Sequence, residues 1–377
     1  MYAYGQPPMQ PPPQQYQQQQ QQPQMMMPQQ PPMMMQQQQP PQQQQQQQQQ
    51  MPSPASAAAA PAPTSSSFET GHLDTVHDAQ LDYYGRRLAT CSSDRSVKVW
   101  DVSAGGEQRQ LLADLHAHEG PVWQVAWAHP RFGALLASCS FDHRVVIWRE
   151  GADGGWTQVY SAPVASGSVN AVAWAPHELG LALAAASSDG SITVVEHRPQ
   201  DGGQWTASKI ERAHVPGATA VSWAPAAPAG ALVGGGAGGG AASAVRRLVS
   251  AGCDNAARVW RCDPASGRWE QEAALAAHSD WVRDAAWAPG LGMPRAQIAT
   301  CGQDGKVFVW TEASSAAAAG GGAGGWRKAL VHDFGASTPV WRVSWSLAGG
   351  LLAASDGANR VSLWKESADG VWQRVQA

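Results

Sequence analysis

The stretch CSSDRSVKVW at residues 91–100 returns as CSFDHRVVIW at 139–148 and as CGQDGKVFVW at 301–310. Each copy opens on a Cys, places an Asp three residues on and ends at a Trp. Aligning the chain on that last position gives six units, ending at Trp100, Trp148, Val195, Trp260, Trp310 and Trp364. An Asp stands six positions earlier in five of them: Asp94, Asp142, Asp189, Asp254 and Asp304. A second anchor lies upstream, where an apolar run ends in Trp: PVWQVAWAHP with Trp127, SVNAVAWAPH with Trp174, TAVSWAPA with Trp223, WVRDAAWAP with Trp287 and PVWRVSWS with Trp345. The first unit has Leu81 in that place. His72, His118, His214 and His278 precede the run in four units.

Every segment is short, rich in β-branched and aromatic residues and bounded by Gly, Pro, Asp or Ser, which is the signature of strands and tight turns rather than of helices. A period of roughly 45 to 50 residues with about four strands is that of a propeller blade, and the Trp-terminated pattern resembles the WD-repeat family over residues 68–377. The expected fold is all-β: a six-bladed, open WD-repeat β-propeller. The resemblance implies a structural network of His, Asp and Trp in each blade: His72, Asp94 and Trp100; His118, Asp142 and Trp148; His214, Asp254 and Trp260; His278, Asp304 and Trp310. Asp189 and Trp364 stand alone in units three and six. Unit three ends in Val195 and lacks the His, and unit six has Ala358 in place of the Asp, so these two blades are expected to be less tightly braced.

The strand count bears on closure. A further strand candidate follows each final Trp, around Trp156, Trp205, Trp269, Trp326 and, in the sixth unit, Trp372. In most closed WD propellers an N-terminal strand completes the last blade, whereas here only Phe68 stands between His72 and low-complexity sequence. Six complete blades without that clasp imply an open ring with exposed faces and edges, a surface suited to β-addition by a partner.

Composition narrows the classes of function. Residues 1–67 carry no Asp, Glu, Lys or Arg and consist largely of Gln, Pro and Met, so they are expected to form a disordered tail. Two Ala/Gly tracts, at 230–244 and 313–325, are expected to be flexible insertions between strands. No signal-peptide pattern and no apolar run of about 18 residues is present, so a soluble, non-secreted chain is expected. The net charge of −4, without a basic stripe, argues against direct nucleic-acid binding. Cys91, Cys139, Cys253, Cys262 and Cys301 show no zinc spacing and are expected to be reduced, the first, second and last of them as small buried strand residues. The His, Asp and Ser residues recur blade after blade, whereas a catalytic set is needed once, so no enzyme, metal or cofactor is expected.

Longer stretches, among them HEGPVWQVAWAHPRFGALLASCSFDHRVVIWRE (118–150) and AHSDWVRDAAWAP (277–289), resemble the family of WD-repeat propeller subunits of the COPII outer coat and the nuclear pore scaffold. That resemblance implies a non-enzymatic scaffold completed in trans by a seventh blade. The donor would be a Sec-thirty-one type coat protein in ER-to-Golgi transport, or a scaffold nucleoporin of the outer ring complex. It implies a cytoplasmic location at COPII coats and ER exit sites and at the nuclear pore, with membrane association only through partners. Two alternatives are a Seh-one type nucleoporin and a closed WD adaptor that recruits substrates to a larger complex. Candidate partner-binding residues are Val97, Val99, Val361 and Leu363 on the terminal blades, and Trp123, Arg283, Trp341 and Arg342 near the first strands of their units; core packing is an equal expectation for Trp123 and Trp341, as for Trp281.

Overall fold

The computed structural model describes residues 67–103, 109–199, 202–227, 245–290, 295–313 and 325–376. The expected tail at 1–67 lies outside them except for Ser67, as do the two Ala/Gly tracts except for Ala313 and Gly325. Among the described residues, 24 strands form six four-stranded antiparallel sheets, each a meander in chain order. These are the six blades: residues 76–116, 122–163, 169–210, 218–276, 282–333 and 340–374.

Local sequence explains the role of each strand. In blades 2, 3 and 5 the second strand, built from small and branched apolar residues as in Leu135–Ser140 (LLASCS) and Gln297–Gly302 (QIATCG), is buried along its whole length, whereas in the last blade, at Leu352–Asp356, it is buried only at alternate positions. Burial on both sides there follows from sandwiching those sheets between two neighbours, so the alternation of a half-solvated sheet is absent from them. The fourth strand, such as Trp156–Pro163, alternates exposed and half-buried positions because it forms the outer rim.

Five apolar clusters make up the core, and each lies between two consecutive blades. The cluster between blades 1 and 2, for instance, joins Ala89, Cys91, Val97 and Val99 to Val122, Val125, Leu136 and Trp148. Cys91, Cys139 and Cys301 are fully buried within such clusters, and burial pushes each thiol well above its ordinary pKa.

Candidate functional site at the open junction

Four blades carry the same hydrogen-bonded set. In blade 2, His118 Nδ1 lies 2.9 Å from Asp142, its Nε2 lies 2.8 Å from the Ser138 hydroxyl, and Trp148 Nε1 donates to that hydroxyl at 3.1 Å. The matching sets are His72, Asp94, Thr90 and Trp100 in blade 1; His214, Asp254, Ser250 and Trp260 in blade 4; and His278, Asp304, Thr300 and Trp310 in blade 5. Asp94, Asp142 and Asp304 also receive N–H bonds from their own turns, as Asp142 does from Arg144 at 3.0 Å. Burial works to raise the Asp142 carboxyl, but bonding and charge from His118 and the N–H groups of Glu119 and Arg144 outweigh it and hold the pKa at about 2. Asp254 is held at about 2 in the same way, against its own burial, by His214 and Arg258. The sets link the third strand of each blade to the loop before its first strand, so they brace blades.

The two blades expected to be poorly braced are braced differently. In blade 3, Ser166 replaces the His and gives Asp189 both its backbone N–H, at 2.8 Å, and its hydroxyl, at 3.0 Å. In blade 6 the turn carboxylate comes from Asp356, two residues before Ala358. It accepts the N–H groups of Ala358 and Arg360 at 3.0 and 3.1 Å and the Arg360 Nε at 3.0 Å. Trp364 Nε1 donates to Ser362 at 2.9 Å instead of to a hydroxyl on the second strand.

The junctions between blades follow a rule set by the six-residue first strands: Val76–Leu81, Val122–Trp127, Val169–Trp174, Ala218–Trp223, Val282–Trp287 and Val340–Trp345. Each has a register shift between its first and third residues. Such a bulge turns the second and third residues toward the same side. Residues one, four and six therefore face the preceding blade, while two, three and five face the following one. Third-residue acceptors take the fourth-residue N–H of the next strand: Asp78 from Val125 at 3.3 Å, Gln124 from Val172 at 2.8 Å and Asp284 from Val343 at 3.0 Å. The sixth-residue Trp donates to the fifth-residue carbonyl of the previous strand: Trp127 to Gln80, Trp174 to Ala126, Trp223 to Ala173 and Trp345 to Ala286, at 2.9 to 3.0 Å. Second residues reach forward as well, through Trp123 to the Ser168 hydroxyl, Asn170 to the Ala218 carbonyl, Thr219 to the Val282 carbonyl and Arg283 over the Trp341 ring.

First strands of consecutive blades pack on one another at five junctions, and among the described residues the last and first strands have no packing of that kind. Among the described residues no apolar cluster joins blades 6 and 1 either. Residues that are buried elsewhere are uncovered here. Val76 is 40% exposed and Leu81 57%, while Val122, Val169, Val282 and Val340 at the position of Val76 are fully buried. On blade 6, Trp341, Arg342 and Ser344 are all exposed.

The candidate residues divide accordingly. Val361, 68% exposed, and half-buried Leu363 face the open junction, because the same strand positions in every other blade face the following blade. For that same reason Val97 and Val99 do not: they face forward from blade 1 and are sealed against blade 2. That expectation is corrected. The ring is head to tail, so each blade has distinct front and rear faces, and equivalent positions on the two terminal blades cannot both face the junction. On the rear face of blade 1, Leu88, Lys98 and Trp100 are the counterparts of Leu136, Val146 and Trp148; Lys98 and Trp100 are nonetheless buried, and Phe68 packs edge-on against Trp100 with ring centroids 5.3 Å apart. Lys98 pairs with Asp114 at 2.6 Å, a charge that position-by-position reading passed over. Trp123 is half-buried between blades 2 and 3, and Arg283 stacks on Trp281 and Trp341 at 5.2 and 4.8 Å. Arg342, the third residue of its strand, reaches the electrostatic field of Asp284 and Asp78. Enclosure by the surrounding atoms works against its charge although its surface meets solvent, and the two carboxylates more than restore it, so its pKa is raised. Asp78 and Asp284 are raised by burial, which the Arg342 charge opposes.

Residues 64–101, 109–149 and 269–311 match the WD domain, G-beta repeat. The chain is similar to Protein SEC13 homolog of Homo sapiens, 50% identical over 309 residues that cover 81% of this chain and 91% of that protein. It is 47% identical over 308 residues to Protein SEC13 homolog of Drosophila melanogaster, covering 81% and 82%. Protein transport protein SEC13 of Mycosarcoma maydis is 42% identical over 356 residues, covering 83% and 95%. An open ring of six WD blades and this likeness over four-fifths of the chain lead to one conclusion: the chain belongs to the SEC13 family.

Proposed function

We propose that this chain is a non-enzymatic scaffold subunit in protein transport, and that its ring is completed by a blade donated in trans. A Sec-thirty-one type coat protein supplies that blade in the COPII outer coat that serves ER-to-Golgi vesicles, and an outer-ring scaffold nucleoporin supplies it at the nuclear pore. The carrying observation is the single open junction, with its uncovered apolar residues on blades 1 and 6. Exposed apolar faces of this kind mark obligate contact, and five internal junctions already display the geometry a sixth and seventh would repeat. The protein-transport names of the relatives support the same reading. Closing the ring ties blade 1 to blade 6 through a common partner, turning a splayable arc into a stiff node suited to a cage. Membrane association is then peripheral, at coated vesicles and ER exit sites, and borrowed from the partner. An adaptor with a closed ring has no use for an uncovered junction.

The test is thermal unfolding and calorimetric titration of the full chain with the blade-forming segment of a Sec-thirty-one type protein. A one-to-one complex with a raised melting temperature is expected, since ligand at 100 times Kd adds about 2.7 kcal/mol. Absence of binding by a stably folded chain would return the adaptor reading to the front.

A further inference from the structure

The open junction has a chemistry that can be read from the five closed ones. On blade 1 it exposes Val76, Ala79 and Leu81, and on blade 6 it exposes Trp341, Arg342 and Ser344. Each corresponds to a residue with a defined task elsewhere. Ala79 stands where Val125, Val172 and Val343 donate their N–H to a third-residue side chain of the preceding strand. Ser344 stands where Gln80, Ala126, Ala173 and Ala286 accept an indole N–H from the following strand. Two positions break the rule. Leu81 has no indole to donate, so the incoming strand needs no fifth-residue acceptor. Arg342 stands where Asp78, Gln124 and Asp284 accept, and a guanidinium has donors alone.

Resting on the reading that the ring receives a blade in trans, we propose that its channel-lining strand is recognised by two residues. The third is a hydrogen-bond acceptor, Asp, Glu, Asn or Gln, which takes the Ala79 N–H on blade 1 and enters the charge field of Arg342, as the third residue Asp284 does from the preceding blade. The sixth is a Trp whose indole N–H donates to the Ser344 carbonyl. The occupant is a β-blade of another protein, because continuity with the five internal junctions specifies a strand in this register. Arg342 contributes charge complementarity and makes the third residue acid-tolerant despite the nearby carboxylates Asp78 and Asp284. A second copy of this chain fits poorly, since its own exposed first strand, Val76–Leu81, has Asp78 at the third position but Leu81 at the sixth.

The test displays the blade-forming segment of a Sec-thirty-one type coat protein with the third and sixth residues of its channel-lining strand randomised, selected on the full chain. Trp at the sixth and acceptors at the third should each enrich at least about tenfold, the factor of one hydrogen bond to a charged or otherwise unpaired buried group. On the Arg342→Gln chain the ratio of acids to amides at the third residue should fall about tenfold while Trp at the sixth persists. Leu363→Asp should abolish selection throughout, which locates binding in the junction. Binding that Leu363→Asp abolishes but that shows no preference at either randomised residue would overturn the recognition rule and leave the partner-blade reading standing. If neither the parent segment nor any library member binds a folded chain, the partner-blade reading itself falls. Selection of library members by a competing second copy of the chain, displaced by the free chain, would assign the junction to self-association instead.

Discussion

At the residue scale, the structural sets work by sharing one hydroxyl between two donors or acceptors. Ser138 meets both His118 and Trp148, so Ser138→Ala leaves two buried polar groups without a partner. That substitution should destabilise the chain by roughly 1–3 kcal/mol, visible as a lower midpoint in urea. Ser138→Thr, which blades 1 and 5 carry naturally as Thr90 and Thr300, should avoid most of that loss. The carboxylates give a pH dependence of definite sign. Asp142 and Asp254 are held at about 2 in the folded chain, below the ordinary unfolded value of about 3.9. Their contribution is present above about pH 4 and is lost as pH falls through about 2. Asp94 and Asp189 are depressed further and follow later. Melting temperature measured from pH 5 to pH 2 should decline across that window, and less steeply for Asp142→Asn; a flat profile would contradict the assignment.

At the element scale, the last blade depends on a substitute. The turn between its second and third strands is held by Asp356, which also bonds Arg360, where the other blades use an Asp two residues later in the repeat. Removing it by Asp356→Ala frees the N–H groups of Ala358 and Arg360. The expected result is faster hydrogen exchange in the strands Leu352–Asp356 and Val361–Glu366, with blades 1 to 5 unchanged. A blade held from one side only is the natural place for such localised opening. The Asp escaped the repeat alignment because its position in the alignment is that of Ser92 and Ser140, residues that also bond the turn. Ser140 donates its hydroxyl to the Gly120 carbonyl and accepts the Asp142 N–H at 3.1 Å. A polar residue at that place was legible; its promotion to the sole carboxylate of the turn depended on how the backbone bends there.

At the scale of the whole molecule, the ring separates two kinds of valine that look alike in sequence. Val97 and Val361 occupy the same strand position, yet one is sealed between blades and the other is 68% exposed. Val97→Asp should therefore cripple folding, because an unpaired buried carboxylate costs several kcal/mol. Leu363→Asp should leave the melting temperature of the free chain nearly unchanged and prevent complex formation with the partner segment. Circular dichroism melting paired with calorimetric titration separates the two effects. Equal losses of folding for both variants would mean that the sixth blade is covered by something other than a partner.

Much of this was written locally. The repeated Trp, Asp and His positions specify strand, turn and strand within about 50 residues, so all-β architecture and six blades follow from sequence pattern, and the bracing sets of blades 1, 2, 4 and 5 from the resemblance to the WD-repeat family. The same pattern marks Leu81 as the one first strand without its Trp, the strand with no blade before it. What only the tertiary structure decided is direction and depth. Which face of a blade looks forward depends on the bulge in each first strand and on head-to-tail packing around the ring, neither of which a repeat alignment contains. The field of Asp78 and Asp284 around Arg342 likewise arises because curvature brings blades 1, 5 and 6 to one channel. Those residues are more than fifty positions apart in the chain, beyond the reach of any local rule.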